Sequence, residues 1–210
     1  MLLPLYDEEH THGRTGGRIT VLLIFLNLIA FFFQVTQNAM TEPFVLVPAQ
    51  IHGHWWTLIT NTFMHGGPAH IIGNMWFLYI FGDNVEDHMG SFNFLWFYLA
   101  CGFLSSVAEV FCYPHSYSHF LGASGAISGV MAAYFFLYPD AKVRTMVGAW
   151  FFHAWLPAWV LLGGWFAMQV FSQMMDPTMS AGVSFSAHIC GFAAGLLLCS
   201  IIFPKPAVYK

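Results

Sequence analysis

Charge is scarce in this chain: only 8% of its 210 residues are charged, six Lys and Arg against ten Asp and Glu. With 58% apolar residues, 23 Phe and a mean hydropathy of +0.63, that scarcity excludes a water-soluble globule and implies an integral membrane protein. There is no basic patch, so nucleic-acid binding is set aside. The four cysteines (Cys101, Cys112, Cys190, Cys199) form no CxxC pair and show no ligand-like spacing, so they read as buried inert thiols. No HExxH pair occurs, which argues against a zinc site built from His52, His54, His65 and His70; His65 is expected to brace its loop by hydrogen bonding. No cofactor or metal is expected. Arg14 and Arg18 precede an apolar run with no small-residue cleavage site after it, so the run is read as a span rather than a secretory leader.

What the chain has in abundance is apolar runs long enough to cross a hydrocarbon core of about 30 Å, which takes about 20 helical residues. Spans are predicted near Ile19–Val35, His70–Phe81, Phe92–Tyr113, Leu121–Tyr138, Met146–Phe171 and Phe185–Phe203. The expected fold class is an all-α polytopic membrane protein. One six-helix domain occupies 19–203, between a short N-terminal segment (1–18) and a tail (204–210). Arg14, Arg18, Lys142, Arg144, Lys205 and Lys210 then all fall on one face, and the loops 36–69, 114–120 and 172–184 carry no Lys or Arg. By the positive-inside tendency both termini are cytoplasmic. The first loop is apolar throughout and includes Trp55-Trp56, so it is expected to fold within the membrane interface. In span five, Trp150, Phe151, Phe152, Trp155, Trp159 and Trp165 read as lipid contact, Pro157 as a kink and His153 as a buried group.

Spans two, four and six descend from the outer face, so their first turns lie at comparable depth. His70 with Asn74, Ser124 and His188 occupy those turns, and polar side chains inside a bilayer are costly unless paired or functional. His70 and Asn74 are four apart and share a helix face. A serine hydroxyl needs a base near neutral pH, for which a neutral imidazole at His188 is suited. Attack on an amide creates an oxyanion, and the Asn74 amide, a His70 ring nitrogen and the Ser124 backbone N–H are candidate donors for it. No acid is obviously placed to orient the imidazole, Glu109 being a distant candidate, so a dyad is expected. Gly125/Gly129 and Gly191/Gly195 form GxxxG runs directly after Ser124 and His188, which would let spans four and six pack backbone to backbone.

Over roughly residues 50–200 these motifs resemble the rhomboid family of intramembrane serine proteases. His65-Gly-Gly-Pro-Ala-His70-Ile-Ile-Gly-Asn74 looks like its HxxxxHxxxN, and Gly122-Ala123-Ser124-Gly125 like its GxSG. Ala187-His188-Ile-Cys-Gly191-Phe-Ala-Ala-Gly195 is similar to its last-span pattern, and Phe81-Gly82 with Glu86 to its segment after the second span. The resemblance implies a six-helix rhomboid-like bundle, Ser124 as nucleophile, His188 as base, His70 and Asn74 in the oxyanion hole, no metal, and substrates that are single transmembrane segments. The Met174–Met179 loop resembles the family's cap over the site. Two positions depart from the pattern: Thr57 follows Trp56 where an arginine is common, and Ser128 stands where some members carry an aromatic that stacks on the histidine. The expected partners are the lipid bilayer and substrate transmembrane segments, and the expected location is a bacterial inner membrane with the site opening to the outer face. The rival reading is a catalytically silent rhomboid-like protein that binds transmembrane helices.

Overall fold

The computed structural model describes residues 2–8, 15–37, 41–148, 152–178 and 182–203. A strand β1 (Leu2–Asp7) precedes helix α1 (Arg18–Thr36), and a loop with short 3-10 turns and the single-turn helix α2 (Thr57–Thr60) leads to α3 (Pro68–Met89). Then come α4 (Ser91–Cys112), α5 (Ser124–Leu137), a hairpin of β2 (Lys142–Val147) and β3 (Phe152–Pro157), α6 (Ala158–Met175) and α7 (Phe185–Ile202). Three of the helices (α1, α4 and α7) are long and apolar enough to cross a membrane. Large apolar side chains remain exposed along them, among them Phe25, Phe32, Phe111 and Leu197, as expected of surfaces whose solvent is lipid.

Helix α5 is the hub. Nearly all its residues are buried, and it packs on α3, α4, α6 and α7. Tyr134, Met131 and Val130 meet Phe81, Leu78 and Tyr98 in the core. With 14 residues it rises only about 21 Å, short of a full hydrocarbon thickness. Its small residues admit α7 at backbone distance: a β-carbon at Gly191 would fall on the Gly125 carbonyl, and one at Gly195 on the Gly129 backbone. The turn from α3 to α4 is a single residue, Gly90, at φ +79°, a conformation that costs a β-carbon-bearing residue strain.

The sheet corrects two expectations. The chain is mostly helical but not all-α: β1, β2 and β3 form a three-stranded antiparallel sheet with β2 in the centre. Span five does not begin at Met146. In Lys142–Val147 the buried residues Val143 and Thr145 alternate with more exposed ones, a period of two that fits a strand. Pro157 closes β3 in an extended conformation and precedes α6 instead of kinking it. His153 is consequently exposed on β3, and Trp155 stacks edge-on against Tyr6. Trp150, Phe151, Arg14, Met179, Lys205 and Lys210 lie outside the described residues. The sheet is tied to the helices by buried polar groups: Asp7 accepts from Asn84 Nδ2 at 2.7 Å and from the Tyr134 hydroxyl at 2.5 Å, while Trp76 Nε1 donates to the Pro4 carbonyl.

Candidate active site

At the end of the bundle opposite the sheet, the first turns of α3, α5 and α7 surround a cavity of about 820 Å³. Ser124, His188, His70 and Asn74 all line it. Ser124 is the first residue of α5, and the turn before it is held by the first loop. Leu46 and Phe120 exchange backbone hydrogen bonds, and Gly122 N–H donates to the Asn61 carbonyl at 3.0 Å. Gly122 stands at φ +129°, and a β-carbon there would lie 2.8 Å from the His70 ring. Only glycine lets the turn carrying Ser124 pass this close to the imidazole.

The donors around the cavity have readable polarity. Gly66 N–H donates to His70 Nδ1 at 3.3 Å, so the neutral ring carries its proton on Nε2, the nitrogen nearest Gly122. Asn74 is buried, and its Nδ2 meets no hydrogen-bond acceptor among the described residues. A buried amide donor left unpaired is costly, and the cavity is the place where it can act.

Three further groups find their partners only in the fold. Both ring nitrogens of His65 are buried. Its backbone is clamped by the Gln34 side chain, which donates to the His65 carbonyl at 2.8 Å and accepts from its N–H at 2.9 Å. Burial, and then the neighbouring His70, lower the His65 pKa to about 4, against the smaller opposing pull of the Phe63 backbone. Glu109 shares the cavity but accepts from the hydroxyls of Ser184 and Ser186, both at 2.7 Å, pinning the start of α7 to α4. Ser128 donates to the Ser124 carbonyl at 2.6 Å and so leaves the imidazole alone.

What the imidazole does meet comes from α6. Trp165 packs against it with ring centroids 5.7 Å apart, and Gln169 Oε1 lies 2.8 Å from His188 Nδ1. Sequence reading placed Trp165 among lipid contacts and did not single out Gln169. The available signal was a glutamine at four-residue spacing from Trp165 and from Gln173 inside an apolar helix, where a polar side chain is costly unless it has a partner. In the first loop, Thr57 Oγ1 donates to the His54 carbonyl and Trp56 Nε1 to the Pro43 carbonyl, so the stretch without the arginine is anchored by neutral hydrogen bonds.

The apolar helices and this cavity define a multi-pass integral membrane protein with a polar site buried at one end of its bundle. Residues 52–205 match the family model of the Rhomboid domain, and the chain belongs to the rhomboid family. It is 34% identical over 134 residues to the rhomboid protease GluP of Bacillus subtilis, covering 60% of this chain and 25% of that protein. It is likewise 34% identical over 86 residues to YdcA of the same organism, covering 41% of this chain and 43% of YdcA. The chloroplastic rhomboid-like protein 11 of Arabidopsis thaliana is 32% identical over 128 residues, 60% of this chain and 44% of that protein. The matched stretches thus span less than half the length of each of these relatives.

Proposed function

We propose that this chain is an intramembrane serine endopeptidase that hydrolyses peptide bonds in or near the transmembrane segments of other membrane proteins. The observation that carries this reading is the single cavity onto which Ser124, His188, His70 and Asn74 converge from three helices. Ser124 Oγ attacks the scissile carbonyl while His188 Nε2 takes its proton. The oxyanion is held by Asn74 Nδ2, His70 Nε2–H and the Ser124 backbone N–H. Collapse of the tetrahedral intermediate breaks the C–N bond, and the amine leaves with the proton from His188. Water then attacks the acyl-serine with His188 again as base, freeing the carboxylic acid and restoring the hydroxyl.

In the same reading the bundle crosses the membrane six times with α1, α3, α4, α5, α6 and α7. Its sheet and both termini face the cytoplasm, and the cavity faces the outer side of a bacterial inner membrane. Residues 19–203 form the protease domain, with 1–18 and 204–210 as cytoplasmic ends. Partners are the lipid bilayer and substrate transmembrane segments.

The test is fluorophosphonate labelling of the purified, detergent-solubilised protein, comparing wild type with Ser124→Ala and His188→Ala. Labelling of wild type that disappears in both variants is the expected result. A folded wild type that takes no label would point instead to a silent protein that binds transmembrane helices.

A further inference from the structure

We propose that Gln169 is the positioning residue for the imidazole of His188, and that it fixes the tautomer in which Nδ1 bears the proton and Nε2 keeps the lone pair. The inference rests on the protease reading only for its kinetic consequence; the tautomer itself is a structural claim. Gln169 is buried on α6, and its side-chain oxygen is within 2.8 Å of Nδ1. An amide oxygen can only accept, so the ring nitrogen facing it is the donor. In the reversed amide orientation Nε2 would hold the proton and the base would be unable to act, so the two orientations make opposite kinetic predictions.

Among the described residues, no carboxylate hydrogen-bonds to the His188 ring. The titratable groups that share the cavity with His188 are His70 on α3, Glu109 on α4 and His119 before α5. Glu109 is engaged by Ser184 and Ser186, and His119 lies against Glu42. An amide also suits the surroundings, because it orients the ring without placing a second ionised group in a low-dielectric interior. Trp165, one turn earlier, packs against the imidazole, and Gln173, one turn later, donates to the hydroxyl of Tyr113, just after α4. One stripe of α6 therefore holds the base. Outside α5, α7 and the two strands that precede it, α6 has little packing of its own. The acceptor at Nδ1 therefore depends on how α6 packs against α7.

The experiment compares Gln169→Leu and Gln169→Glu with wild type on a transmembrane peptide substrate, across pH. Leucine removes the acceptor at similar volume, and kcat is expected to fall on the order of tenfold with KM unchanged, the worth of one orienting hydrogen bond. Glutamate can still accept, so it is expected to recover the rate near neutrality. Its charge favours the imidazolium, so it also moves the acidic limb of the pH profile to higher pH. A Gln169→Leu enzyme with wild-type kcat and pH profile would overturn the proposal, and so would Gln169→Glu as defective as Gln169→Leu, which would mark a packing role. Nitrogen-15 NMR of ring-labelled histidine in Ser124→Ala reads the tautomer without any turnover. His188 is expected as the Nδ1–H form, mixed once Gln169→Leu is added; an Nε2–H form with Gln169 present overturns the assignment even if the protein proves not to be a protease.

Discussion

At the scale of single residues, Gly122 is the glycine on which the cavity's geometry turns. A methyl group there meets the His70 ring at 2.8 Å, and the φ of +129° is itself strained for any other residue. Gly122→Ala is therefore expected to cost about 1–3 kcal/mol. It should displace His70 and reduce fluorophosphonate labelling at least tenfold, while Gly53→Ala, open on all sides, leaves labelling unchanged. His65 gives a pH signature. Its folded-state pKa of about 4 lies below the ordinary 6.5, so the unfolded chain takes up the proton first. Stability is complete above about pH 6.5 and falls as pH drops toward 4, by about 3 kcal/mol for this one ring. Thermal unfolding in detergent should show that slope, and His65→Leu should remove most of it. The motif residues of the site were legible because each is a polar type in an apolar run. Gln169 was legible only as a polar outlier, since what it touches depends on how α6 docks against α7.

At the scale of elements, the chain relies on capping from a distance. Helix α1 starts at Gly17, which has no side chain to cap it, and the service comes from Glu86 near the end of α3. Its carboxylate accepts from the backbone N–H groups of Ile19 and Thr20, the Thr20 hydroxyl and the Ser91 hydroxyl. Replacing Glu86 with Ala orphans these donors next to a helix start whose dipole favours negative charge, at a cost of about 2–4 kcal/mol. The expected outcome is a lowered Tm with less loss for Glu86→Gln, measured by thermal unfolding of the two variants side by side. Sequence resemblance pointed to Glu86 but not to its task, which becomes visible only once α1 and α3 pack together. The hairpin shows the opposite failure. Phe152 and Trp155 are as apolar as any spanning residue, and hydropathy alone extended the fifth span over them. The period-two burial of β2 and the proline at 157 were the signals that length and hydropathy outweighed.

At the scale of the whole molecule, the sheet supplies a constraint on topology that hydropathy cannot. β1 belongs to the N-terminal segment, whereas β2 and β3 belong to the connection between α5 and α6, and their pairing holds both on one side of the bundle. That is possible only if an even number of crossings lies between them. In the proposed six-span topology, α1, α3, α4 and α5 provide four. Lys142 and Arg144 sit on β2, the latter over the rings of Tyr6 and Trp155, so the basic side chains of this connection share a face with the N-terminal strand. The cavity opens at the opposite end, among the segments free of Lys and Arg. Two single cysteines test this arrangement in a Cys112→Ser background, which removes the exposed native thiol. A membrane-impermeant maleimide applied to intact cells should label Tyr117→Cys, in the exposed segment beside the cavity, and should reach Phe152→Cys on the sheet only after permeabilisation. Labelling of both from outside would break the link between sheet and cytoplasm. Because β1 is hydrogen-bonded to β2, it would force the N-terminal segment and the α5–α6 connection to change sides together.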